Sequence, residues 1–183
     1  MRLFGSIILA CGLASQALTA DTNHVTIAKM EAETLSSVER EAVSLAEAMP
    51  ADKYNFVPTG GEFTGSRTFG LQMTHIATVI YEVSAAALGE KNPVELGQHE
   101  NGAGSLQTKE AIVEYLKGAF KLAHRAADSL TGENFTEVVA SPFGDKMPRG
   151  SLAAINVWHT YDHYGQAVVY ARLNGIVPPA SRK

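Results

Sequence analysis

Three histidines in this chain are spaced so that they could bind one metal ion. Two of them, His159 and His163, lie in the segment WHTYDHYGQ (158–166). Four residues is about one turn of helix, so both imidazoles fall on one face. At about 100° per residue, Leu152, Ile155, His159, His163, Gln166 and Tyr170 form a single stripe. Such a stripe should be a buried seam, yet its middle carries two imidazoles and an amide. Polar groups of this kind are costly to bury unless they are satisfied, and a metal ion would satisfy the imidazoles.

The third histidine is His75, on a stripe with Thr68, Leu71, Val79, Glu82 and Ala86. All three histidines fall near the middle of their helices. At roughly 1.5 Å rise per residue they match in height to within about one turn, whether the two helices run parallel or antiparallel. Three neutral imidazoles suit one first-row divalent ion, and zinc, nickel and iron all accept this ligand type. Three protein ligands leave a position for water or substrate, as catalytic sites do. The alternative is a set of hydrogen-bonded core histidines with no ion.

Around this set, Asp162 is expected to accept the second N–H of His159, a usual supporting role, and Gln166 to orient His163 or hold a water at the metal. Glu82 lies roughly 10 Å along the axis from His75. That is too far for a fourth ligand and suits a general base at the pocket mouth. Tyr81, Trp158, Tyr161 and Tyr164 read as packing or interface residues, and His24, His99 and His124 as solvated surface groups. The chain has no Gly-rich phosphate loop, no GxSxG elbow and no HExxH.

The elements that must position these residues are helices. Apolar residues at spacings of three and four recur in four segments, about 33–49, 66–88, 107–130 and 151–174, with no useful strand alternation between them. Leu35, Val38, Ala42, Leu45 and Met49 mark the first, and Pro50 stops it. Ile112, Leu116, Ala119, Phe120, Ala123, Ala127 and Leu130 mark the third. Gly89 ends the second and Gly175 the fourth. The connections 50–65, 89–106 and 131–150 are rich in Gly, Pro and polar residues and are long for a bundle. The expected fold is all-α, one four-helix bundle with long inter-helix connections over residues 21–183.

A formal charge of −4 and a pI near 5.8 exclude an electrostatic partnership with nucleic acid. Residues 1–20, MRLFGSIILACGLASQALTA, carry one basic residue, an apolar run and small residues, and then give way to Asp21. They read as a secretory signal cleaved after Ala20 or Ala17, so the protein is expected to be exported, periplasmic or extracellular. Cys11, the only cysteine, lies within it. The mature chain would have neither disulfide nor thiol chemistry and no transmembrane span. The alternative use of Cys11 is lipidation, since Ile8-Leu9-Ala10-Cys11 faintly matches a lipoprotein processing box.

Three segments resemble one known family: AEAMPADKYNFVPT at the end of the first helix, FGLQMTHIATVIYE in the second and the closing WHTYDHYGQAVVYARLNGIVPPAS. The chain is similar in these to the DinB/YfiT-like metalloenzymes, in order and over nearly the whole mature length. The HxxxHxxQ spacing followed by NGIVPP is the most specific part. The resemblance implies a four-helix bundle whose three histidines, here His75, His159 and His163, bind one divalent metal. Characterised members include transferases that use low-molecular-weight thiols and a thiol-dependent isomerase. The function so implied is a metal-dependent transferase or hydrolase activating a water or a thiol, with a small-molecule substrate or thiol as partner, as monomer or homodimer. The alternative is a metal-binding bundle without catalysis, in which the ion stabilises the fold or is sensed.

Overall fold

In a computed structural model the described residues are 24–183, and the expected leader over 1–20 lies outside them. Four helices carry the structure: α1 (Ile27–Ala48), α2 (Phe69–Leu88), α3 (Lys109–Asp128) and α4 (Arg149–Leu173). Each of the first three begins on a threonine whose hydroxyl accepts a backbone N–H of the first turn: Thr26 from Lys29, Thr68 from Leu71 and Thr108 from Ala111. The cap of α2 is thus Thr68, two residues beyond the expected start at residue 66. Gly89 ends α2 as expected, in the left-handed conformation at φ 70°. None of these helices is long and apolar enough to cross a membrane.

In cross-section α1 packs against α3 and α4, and so does α2, so α1 and α2 occupy opposite corners. Paired residues give the directions. Glu39 meets His124 and Glu47 meets Lys117, so α1 and α3 are antiparallel. Thr78 meets Tyr115 and Glu90 meets Arg125, so α2 and α3 are parallel. Gln72 meets His163 and Ser84 meets Asn156, so α2 and α4 are antiparallel. The order is therefore up, down, down, up. This explains the long connections: residues 49–68 and 129–148 cross diagonals, and residues 89–108 must run back along α2, roughly 30 Å for a helix of this length.

The centre is filled by Leu45, Met49, Phe69, Met73, Ile76, Leu116 and Phe120, all fully buried. Of the 20 residues of α2, 16 are buried, because it is covered by two helices and by the returning connection. A single-stripe reading of α2 therefore fails in detail: Leu71, expected inside, is 40% exposed, whereas Gln72 is 2% exposed.

The third connection holds an antiparallel hairpin absent from the expectation of an all-helical chain, β1 (Val138–Ala140) with β2 (Lys146–Pro148). Val139 and Met147 face inward and extend a second apolar cluster of Val79, Val83, Leu152 and Ile155. Three residues per strand are too few to leave a readable alternation. Arg149, at the start of α4, donates to the Ala87 carbonyl at the end of α2 and pairs with Glu137 at 2.7 Å. Its cation sits where the α2 dipole is negative.

Candidate metal centre

Because α2 and α4 run antiparallel, His75 comes level with His159 and His163 at the α2–α4 seam. The buried line of α4 runs Asn156, Thr160, His163, Ala167. His163 lies on it and is buried, as is His75, while His159 sits at its edge and is half-buried. The three rings meet edge to face, with centroids 4.6–5.0 Å apart, and one ligand atom from each lies within 4.8 Å of the others. The Nε2 atoms of His75 and His159 are 3.2 Å apart. Nitrogens held at roughly 2.0–2.1 Å by one tetrahedral ion would stand about 3.3–3.4 Å apart.

The outer nitrogens of two rings are committed. His75 Nδ1–H donates to the Glu100 carbonyl at 3.0 Å, and His163 Nδ1–H donates to Gln72 Oε1 at 2.6 Å. Each bond fixes the tautomer that leaves the Nε2 lone pair pointing into the cluster. Gln72 is held in turn, its Nε2–H donating to Gln166 Oε1 at 3.1 Å. Two inward lone pairs facing a third imidazole nitrogen make a donor set that fits a divalent ion. The cluster could hold one.

Electrostatics favour the neutral form that ligation needs. Burial, then the neighbouring imidazoles and the Arg67 guanidinium, push His159 down to about 3. Burial, followed by His75 and Arg67, pushes His163 down to about 4, with Asp162 opposing. His75 is lowered chiefly by burial, against the Glu100 carbonyl bond.

The supporting residues differ from expectation. Asp162 does not take the second N–H of His159: its Oδ2 stands 4.0 Å from His163 Nε2, and His159 Nδ1 is buried without a partner. Gln166 acts on His163 only through Gln72. The sequence reading missed Gln72 and the Glu100 carbonyl. Gln72 had a signal, an amide three residues before His75 in a largely apolar helix, whereas a backbone carbonyl leaves none. Glu82 is buried but stands apart from the cluster. Trp158 is 58% exposed and lies edge to face with His159 at 6.0 Å, on the rim of the site. Of the histidines read as solvated, His124 is partly buried on Glu39 at 2.7 Å.

The Glu100 carbonyl is aimed by a tight loop in the returning connection. Its His99 and Glu100 have φ of 54° and 56°, a conformation that costs a non-glycine residue roughly 1–2 kcal/mol. Arg67 holds it there, donating from Nε to Asn101 Oδ1 at 2.7 Å and from its terminal nitrogen to the His99 carbonyl at 2.9 Å. Gly97 has φ 66°, and a Cβ there would collide with the Gly102 carbonyl.

The family model of the DinB superfamily matches residues 34–167. The fold is similar to the crystal structure of a DinB-like protein from Bacillus cereus, with 19% identity, 81% of this chain and 93% of that one covered, and a TM-score of 0.65. It is also similar to a DinB-like protein from Bacillus subtilis, with 17% identity, 84% and 99% covered, and a TM-score of 0.62. None of the curated proteins matches this chain.

Proposed function

Since the chain belongs to the DinB superfamily and buries three histidines that could hold one ion, we propose that it is a divalent-metal-dependent enzyme, a transferase or hydrolase, with His75, His159 and His163 as ligands. The observation that carries the reading is the convergence of these nitrogens, with the outer nitrogens of His75 and His163 tied to Glu100 and Gln72. A bound divalent ion would supply Lewis acidity, lowering the pKa of a water or thiol in its open position.

The chain's own residues do the rest. Glu100 and Gln72 orient the ligands and keep their protons on the outer nitrogens, and Gln166 steadies Gln72. Arg67, whose charge is felt at all three histidines, disfavours their protonation and would attract an anionic nucleophile or substrate. The half-buried edge at His159, beside Trp158, is where a small molecule would enter.

Elemental mass spectrometry of untagged protein, run beside His75→Ala and His159→Ala, tests this. The expected result is about one ion per chain in the wild type and none in either variant, and the metal found is then used to screen substrates with water and thiol nucleophiles. A wild type without stoichiometric metal after reconstitution overturns the reading. A second reading, an ion that only staples α2 to α4, is favoured by the burial of two of the three ligands. It predicts a loaded protein that is inert in those screens but melts at much lower temperature after chelation.

We also propose export, supported by the composition of residues 1–20. Intact mass of the protein from cell fractions should show a chain beginning at Asp21 or Leu18. Retention of Met1 would rule it out.

A further inference from the structure

A second site lies away from the histidines. Between the C-terminal half of α2, the residues that follow it and the β1–β2 hairpin runs a groove of about 450 Å³. Its walls are largely apolar, from Ala85, Ala86, Leu96, Val139 and Pro142, and its lining includes Glu82. Glu82 is 8% exposed, and its Oε2 is buried without a hydrogen-bond partner. Leaving a buried carboxylate oxygen unpaired is expensive, and such atoms in folded proteins are uncommon. The other carboxylate on the groove, Glu90, is already paired with Arg125 at 2.7 Å. Glu82 makes no ion pair among the described residues. Burial, then the charge of Glu100, raises its pKa, and a cation placed beside it would oppose both effects.

We propose that this groove binds a small organic ammonium ion with an apolar body. The Glu82 carboxylate, whose Oε2 is covered in this structure, turns outward to accept from the nitrogen, and the hydrocarbon lies against Ala86, Leu96 and Val139. With Glu90 already held by Arg125, Glu82 is the one carboxylate of the groove without a cation, too poor an oxygen set for a hard metal cation, which takes six or more oxygens. An alkylammonium needs only one strong acceptor and a hydrophobic wall. The site is separate from the histidine cluster, since Glu82 lies seven residues beyond His75 on α2, roughly 10 Å along the axis. The inference does not depend on metal binding.

Calorimetric titration of the full chain with n-hexylammonium, 1-hexanol and hexanoate tests it. Saturable binding of one hexylammonium per chain is expected, with hexanol at least tenfold weaker and hexanoate not bound. Glu82→Gln, which keeps the shape, should weaken hexylammonium at least tenfold, and Ala86→Phe, which fills the groove, should abolish it, both with wild-type circular dichroism. His75→Ala should bind hexylammonium as the wild type does, even if that variant loses metal. Equal affinity for hexanol and hexylammonium, undiminished binding in Glu82→Gln, or loss of binding in His75→Ala would each overturn the proposal.

Discussion

At the residue scale the site depends on which nitrogen of each imidazole carries its proton. Gln72 holds that proton on the outer face of His163, so Gln72→Ala should weaken metal binding by about 10–100-fold, as loss of supporting partners does elsewhere. Competition against a chromophoric chelator measures this, and an unchanged affinity would show that His163 is oriented by packing alone. A second expectation concerns acid. His159 and His163 have folded-state pKa values of about 3 and about 4, below the unfolded value of about 6.5. Between those limits the unfolded chain binds more protons than the folded one, so stability is full above about pH 6.5 and falls as the pH drops toward about 3. Urea melts of metal-free protein should show this loss, and it should be smaller in a His159→Gln, His163→Gln double variant. Equal acid sensitivity in both would place the titrating groups elsewhere.

At the scale of elements, the returning connection 89–108 is as much a part of the site as the helices. Gly97→Ala sets an unfavourable left-handed φ against a collision with Gly102, so the loop should shift and release the Glu100 carbonyl from His75. Both the melting temperature and the metal affinity should fall. A contrasting change is Thr108→Ala, which removes the N-cap of α3 and should cost about 1 kcal/mol while leaving metal affinity as it was. Comparing the two variants separates damage to the site from damage to the fold. If Thr108→Ala weakens metal binding as much as Gly97→Ala does, the loop has no special role.

Taken whole, the molecule is a bundle whose candidate ion would join two neighbouring antiparallel helices. An ion that binds only the folded state stabilises it by about 2.7 kcal/mol when free ion is 100 times its Kd. Chelation should therefore lower the melting temperature of the wild type and leave that of His75→Ala unmoved. The core is expected to matter more. Phe120 is fully buried, and Phe120→Ala should cost about 3–5 kcal/mol, read from chemical melts with and without metal. A loss under 1 kcal/mol would mean that the centre of the bundle repacks around the gap.

The helices, most of their ends and the three histidines were legible in the chain because each rests on local spacing. The start of α1 was not, since it begins at Ile27, six residues before the first apolar spacing near residue 33. Apolar residues three and four apart mark a buried face, Gly89 stops a helix, and imidazoles four apart share a turn. Family membership was legible for the same reason, in the contiguous segments that carry His75, His159 and His163. Spacing within one helix says nothing about what lies across from it. The up, down, down, up order, the antiparallel seam that brings His75 level with His163, the recruitment of Gln72 and the Glu100 carbonyl, and the unpaired Glu82 in its groove all arise from contacts between segments far apart in the chain. They were decided only when α2 was enclosed on nearly every side, which forced each polar group it carries either to find a partner or, like Glu82 Oε2, to remain without one.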